Sequence, residues 1–447
     1  MKLATSFTGN RGLRFPAPDV SRGLMLLFIA LANIPFWASV TRSAAPGDAA
    51  DTAWLWIRTL LVDHRAYPLF SLLFGFGLAT MVNRRIASGT QSYLQSLPGV
   101  DAGREPTSQE ESWAREQATV DARRLVRRRG AWMILFGAAH AMLFDSDIIG
   151  LYGLVAVVFA GWVAHKHWKR AAVVSAVIVV ANVVVTFIVG SLMVSQGTTS
   201  STAMREETDG SIVTLLSYIS DGLTSWAGGT VRGALLSMVI PAMFLGARLA
   251  DTDLIAHPER HRGLLTVAGI GGLALGALGA LHELLVPLTG AQSWAADSAL
   301  IAVLGLAGGC GWLAVLAMYA GGPTSDNRLT GLKRLLSNVG RRSMTAYLSQ
   351  TVMFAGIFVI APRLTGRSVS PGAAASAAVA VMVWLTTVVL CAVLERLGMP
   401  GPFESLLRIA VACSERSRTN PFPQQVPAQR AAQLLGQPTS TPVTAGA

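Results

Sequence analysis

The chain has 447 residues, of which 52% are hydrophobic and 14% charged, where an ordinary soluble domain carries about 25% charged residues. That much apolar sequence exceeds the needs of a soluble core. The net charge of +11 falls in short basic clusters with no interleaved aromatic face, which argues against nucleic acid and for anionic lipid headgroups.

A helix rises 1.5 Å per residue, so about 20 apolar residues cross a hydrocarbon layer about 30 Å thick. Ten stretches reach or approach that length: 23–40, 66–83, 130–144, 148–165, 171–195, 233–247, 263–281, 298–320, 343–361 and 369–394. The expected fold is an all-α membrane protein, a polytopic bundle of about ten transmembrane helices. Lys and Arg are retained on the cytoplasmic side. With the N-terminus inside, all 36 basic residues except Arg42, Arg58, Arg65, Arg205, Arg232, Arg363 and Arg367 fall on inner segments. This predicts cytoplasmic N- and C-termini in a multi-pass protein of the plasma membrane.

Residues 1–22 form the expected cytoplasmic N-terminal segment and 23–410 the transmembrane domain. The first span is longer than a signal-peptide core and lacks a small-residue cleavage pattern, so it is read as a retained anchor. The cytoplasmic stretch 84–129 is rich in Ser, Gly, Gln and mixed charge; its second half predicts a surface helix from about 108 to 128, its first half a mobile loop. Residues 196–225 are the longest outer loop, and 411–447, rich in Pro, Gln, Ser and Thr, predict a disordered cytoplasmic tail. The short turn at 145–147 makes the third and fourth spans antiparallel neighbours. Small residues four apart, Ala268, Gly272 and Gly276, then Gly305 and Gly309, predict close helix packing. Cys310, Cys391 and Cys413 form no disulfide or zinc pattern.

Polar groups retained inside apolar spans are functional candidates by default. His140 lies ten residues into the third span and Asp147 seven residues on. With Tyr152 they can meet at the apex of the hairpin. A histidine beside a carboxylate suits a general base of fixed tautomer; it equally suits a buried hydrogen bond next to a turn. Asp63, His64, Asp221, His282 and Glu283 are weaker candidates near the outer interface. His165 and His167, beside Lys166, Lys169 and Arg170, read as a headgroup-facing charge cluster. On the inner side, Arg22 and Asn33 stand three helical turns apart on one face, and Arg341, Arg342, Tyr347 and Gln350 come from the ninth span. Basic residues at an inner vestibule suit an anionic ligand or simply enforce orientation.

Five groups of residues then occur in order. They are Asp19, Arg22 and Gly23 with Asn33; Tyr67, Pro68, Phe70, Ser71 and Gly75; Gly137 and His140 with Asp147, Gly150 and Tyr152; Gly340 and Arg341 with Thr345, Tyr347 and Gln350; and Gly401, Pro402 and Glu404 with Arg408. In these the chain resembles the bacterial DUF418 proteins. That family is in turn distantly similar to membrane acyltransferases of the acyltransferase-3 and heparan-glucosaminide acetyltransferase type. The resemblance implies passage of an acyl group from a cytoplasmic donor such as acyl-CoA to an acceptor hydroxyl or amine. In the acyltransferase-3 pattern a histidine follows the first-span arginine by eleven residues. Here Arg22 is followed by Asn33, which cannot act as a base, and His140 is the remaining proton acceptor.

The expected roles are therefore His140 and Asp147 as catalytic residues, with Arg22, Asn33, Tyr152, Arg341, Arg342, Tyr347 and Gln350 binding substrate. No metal and no bound cofactor are expected. The partners would be membrane lipids and a small-molecule substrate, with no nucleic acid. The alternatives are a small-molecule transporter or exporter, weakened by the absence of a visible repeat, and a non-catalytic membrane protein.

Overall fold

The computed structural model describes residues 15–39, 48–97, 99–100, 103–195, 215–289, 295–323, 329–366 and 371–415. Lys2, Arg11, Arg14, Arg42, Arg205, Arg328, Arg367 and the tail beyond 415 lie outside them, as do the side chains of His282 and Glu283. Among the described residues every regular element is helical. The first six helices are α1 (Pro16–Ser39), α2 (Ala49–Leu61), α3 (Ala66–Gln95), α4 (Ser108–Ala141), α5 (Ile149–Ala164) and α6 (Trp168–Ser195). There follow α7 (Leu215–Leu236), α8 (Val239–Leu249), α9 (Arg262–Thr289) and α10 (Ala295–Ala320). The last are α11 (Gly331–Arg341), α12 (Ser343–Ala355), α13 (Ala361–Thr365), α14 (Ala373–Arg396) and α15 (Pro402–Cys413). A π turn, Gly356–Ile360, joins α12 to α13.

Seven of these segments are long and apolar enough to cross a membrane, or eight if the pair α7 and α8, bent by 60°, counts as one span. The bend falls inside the expected crossing at 233–247. There Ser237 Oγ donates to the Gly233 carbonyl and accepts from the Val239 amide at 3.2 Å, restarting the chain as a new helix. The expected crossing at 148–165 is α5, only 16 residues long. The one at 130–144 is the apolar end of α4, a single helix of 34 residues and about 51 Å.

Three sequence expectations about connections are corrected. Residues 84–95 are not a loop but the continuation of α3; the helix runs through Ser88 and Gly89 because it packs there on α4, where a Cβ on Gly89 would lie 3.0 Å from Ala118 Cβ. The helix expected at 108–128 is present, but it and the span expected at 130–144 are one continuous helix, α4. It is started by a capping box in which Thr107 Oγ1 accepts from the Glu110 amide and the Glu110 carboxylate accepts from the Thr107 amide at 2.8 Å. Residues 215–225 of the expected outer loop belong to α7.

The core is organised around α1, which packs on α3, α10, α11, α12 and α14. Glycines set the crossings. A Cβ on Gly23 would collide with the Leu336 carbonyl of α11, and one on Gly340 with the Asp19 carbonyl of α1. The α3 and α8 backbones meet in the same way, Gly75 against Met243 and Gly246 against Leu72. The small-residue stripes also pack closely: a Cβ on Gly272 in α9 would sit 2.6 Å from the Ala307 carbonyl of α10. Between these stripes lies Arg65, 1% exposed. Its guanidinium donates to the carbonyls of Thr59 at 2.7 Å and of Gly276, so it sits within the helix packing rather than in a solvated loop. Outermost are α6 and α9, whose apolar faces stay bare; Val173 is 64% and Val267 71% exposed, the pattern of residues meant for lipid.

Long-range caps tie α12 and α14 to the rest. The Glu404 carboxylate of α15 accepts from the Met344 amide at 2.8 Å, from the Thr345 amide at 3.1 Å and from the Thr345 hydroxyl. The first turn of α12 is thereby satisfied by a side chain 59 residues away. Asp51 of α2 likewise accepts from the Ala374 amide at 2.8 Å.

Candidate functional site

The hairpin of α4 and α5 builds the site. Gly130 and Gly137 of α4 face Gly153 and Gly150 of α5 so closely that a Cβ on Gly137 would meet Asp147 Oδ2. This contact brings the last turn of α4 onto the residue that precedes α5. His140 Nδ1 lies 2.7 Å from Asp147 Oδ1, and both side chains are at most 3% exposed. Asp147 Oδ2 also accepts from the Gly150 amide at 2.7 Å and from Trp226 Nε1 of α7 at 3.3 Å. Two N–H donors, Gly150 and Trp226, thus converge on the carboxylate beside the His140 ring. That suits its ionised, acceptor-only form. An acceptor-only Asp147 forces the proton of a neutral His140 onto Nδ1 and leaves Nε2 as an acceptor.

Nε2 is met by Thr351 Oγ1 of α12 at 2.8 Å. In this tautomer the threonine hydroxyl donates to the imidazole, so carboxylate, imidazole and hydroxyl form one continuous chain. Thr351 was absent from the sequence-derived candidates. The available signal was its place one helical turn after Tyr347, on the same face of α12. Tyr347 does come to the site, its ring centroid 5.1 Å from that of His140, and Phe144 closes another side at 5.9 Å.

Tyr152 does not join His140 in a hydrogen bond. Its hydroxyl pairs with Ser71 Oγ at 3.0 Å, and its ring stacks on Phe74 at 4.6 Å. Gln350 donates to the Leu26 carbonyl at 3.4 Å, tying α12 to α1. Asn33 is half-buried on α1.

The candidate arginines divide into two groups. Arg341 and Arg342 face Glu395 at 2.6 and 3.0 Å, and Arg342 Nη2 donates to the Met399 carbonyl at 2.6 Å. They tie α11 to α14 and the turn after it. Arg22 lies over Gly77, donating to the Leu73 carbonyl at 3.2 Å with Asp19 at 3.4 Å. Its charge acts, together with those of Glu404 and Arg408, on Arg129 of α4. Arg129 is exposed and has no carboxylate within 4 Å among the described residues. Three cations, Arg22, Arg129 and Arg408, and two anions, Asp19 and Glu404, from α1, α4 and α15 therefore share one region. Arg129 was not among the sequence candidates, because it stands in a run of five arginines between 123 and 129 that reads as a solvated face.

No curated protein and no solved structure matches the chain. Residues 249–414 match the family model described as "Protein of unknown function (DUF418)". That region holds Arg341, Tyr347, Thr351 and Glu404, and the match supports the assignment of this multi-pass, membrane-type chain to the DUF418 family.

Proposed function

We propose that the chain is a membrane acyltransferase in which His140 is the general base, Asp147 its orienting carboxylate and Thr351 the hydroxyl it activates. The observation that carries this reading is the hydrogen-bonded chain Asp147, His140, Thr351 at 2.7 and 2.8 Å, which follows the carboxylate, imidazole, hydroxyl order of activated nucleophiles. In the first step Thr351 Oγ1 attacks the carbonyl carbon of an acyl thioester, with acyl-CoA as the proposed donor. The hydroxyl proton passes to His140 Nε2, the C–S bond breaks, and the thiol leaves with that proton. In the second step an acceptor hydroxyl or amine gives its proton to His140 and attacks the threonyl ester, and Thr351 is restored. Nothing is oxidised or reduced.

The donor phosphates would sit at the region shared by Arg22, Arg129 and Arg408, and Arg341 and Arg342, already held by Glu395, would support its wall. The apolar end of α4, the short α5 and the bent pair of α7 and α8 would complete ten crossings with both termini in the cytoplasm of a cell membrane, as the basic residues favour.

The test is transfer of labelled acetyl from acetyl-CoA to the purified protein in micelles. His140→Ala and Thr351→Val are expected to lower labelling at least about a hundredfold, and Thr351→Ser to retain it. Full labelling of Thr351→Val would refute the covalent step, and full labelling of His140→Ala the base. A second reading, transport, draws on the broken helix pair of α7 and α8, a device of carriers. Solute flux into liposomes without any thioester would favour it.

A further inference from the structure

We propose a second site, at the opposite end of α5 from His140, that binds a phosphate group. The turn between α5 and α6 brings His165 and His167 side by side, with ring centroids 5.7 Å apart. The arginines of α4 reach across to them. Arg123 lies over Gly161, where no side chain obstructs it: a Cβ there would be 3.6 Å from Arg123 Cδ. Together with Arg127, Arg170 and Trp162 these residues line a cavity of about 360 Å³.

Three features distinguish this cavity from a solvated basic face. No acidic residue lines it, and among the described residues Arg123, Arg127 and Arg170 make no ion pair. The nearby acids are already engaged: Asp251 holds Lys166 at 2.7 Å and Arg248 at 3.4 Å, while Asp121 holds Arg124 at 3.4 Å and the Tyr93 hydroxyl at 2.5 Å. Two nitrogens of lining residues, Arg123 Nε and His167 Nδ1, are buried without a hydrogen-bond partner among the described residues. Orphaned buried polar groups are destabilising, and a ligand with several oxygens offers them partners.

The chemistry that fits is a phosphate ester or diester, whose oxygens accept bidentate guanidinium bonds. The N-terminal end of α6 adds the positive end of its dipole. Two sources could bring it, a phospholipid headgroup or a soluble phosphate. Headgroup level is the physical setting here, because the residues of α6 just beyond the cavity, Val173 and Val177, are 64% and 60% exposed and so face acyl chains.

The experiment uses the full chain in a maltoside detergent, which carries no phosphate. Its melting temperature is recorded with added phosphatidylglycerol and, separately, with inorganic phosphate against chloride at equal ionic strength. Native mass spectrometry counts retained lipid. Binding is expected to raise the melting temperature, and Arg123→Gln with Arg170→Gln to weaken it about tenfold per arginine. Arg260→Gln, elsewhere on the basic surface, is expected to leave it unchanged. Melting without ligand checks that each variant folds; if the double variant does not, Arg170→Gln alone, at the exposed rim, replaces it. A response to phosphatidylglycerol alone assigns the site to a headgroup, and a response to inorganic phosphate assigns it to a soluble ligand. No response of the unaltered protein to either, or equal losses in Arg260→Gln, would overturn the site.

Discussion

Replacing Asp147 separates its structural role from its chemical one. In Asp147→Ala the donors His140 Nδ1 and Gly150 N, each 2.7 Å from the carboxylate, and Trp226 Nε1 at 3.3 Å lose their acceptor inside the bundle. An orphaned buried donor costs about 1–3 kcal/mol, so the two close ones set a loss of about 2–6 kcal/mol, with the longer bond adding less. In Asp147→Asn the amide oxygen keeps Gly150 and Trp226, and the amide N–H₂ turns toward His140. The ring then moves its proton from Nδ1 to Nε2 and donates to Thr351. That variant loses only charge assistance, about 1–2 kcal/mol, yet its imidazole has no free acceptor facing the hydroxyl. Both quantities are measurable without a substrate: detergent-unfolding titration of the micellar protein gives stability, and ¹⁵N chemical shifts of the histidine ring give the protonated nitrogen. Equal destabilisation by Ala and Asn, or an unchanged Nδ1-protonated ring in Asp147→Asn, would refute the reasoning.

Three further outcomes follow from the packing. Glu404→Ala removes the acceptor for the Met344 and Thr345 amides and is expected to cost about 2–4 kcal/mol, measured by the same titration; Glu404→Gln should lose less. Gly75→Ala would drive a methyl into the Met243 carbonyl and cost about 1–3 kcal/mol or prevent assembly, whereas Gly228→Ala, with open space around it, should be neutral or stabilising by up to about 1 kcal/mol, as scored by melting temperature. At the start of α4, the hydrogen bond from Arg104, followed by that from the Thr107 amide, pulls Glu110 from its ordinary 4.5 down to about 2. A depressed carboxylate contributes its stability in full above the unfolded value and loses it as pH falls through the folded one. Hydrogen exchange of the amides in the first turn of α4 should therefore show less protection at pH 2 than at pH 5, and Glu110→Gln should abolish that difference.

The sequence by itself determined the helical class, the apolar segments and their basic ends, because a bilayer demands runs of fixed length and leaves charges at their margins. It also determined the nearness of His140 and Asp147, since one short turn on two adjacent helices leaves them few other places to go. The close approach of α9 and α10 was legible for the same local reason, in glycines spaced by one helical turn. Thr351 was not legible from His140: 211 residues separate the two, and although Thr351 shares the Tyr347 face of α12, only helix packing decides which face of α12 meets the imidazole. Nor did the sequence reveal that Arg341 and Arg342 meet Glu395 while Arg129 has no carboxylate within 4 Å among the described residues. Those partners come from different helices, and which cation finds an anion depends on the rotation and crossing of helices that glycines at 23, 75, 246 and 340 allow. Local spacing fixes what each helix can offer, and only the packing of the bundle decides which offers meet.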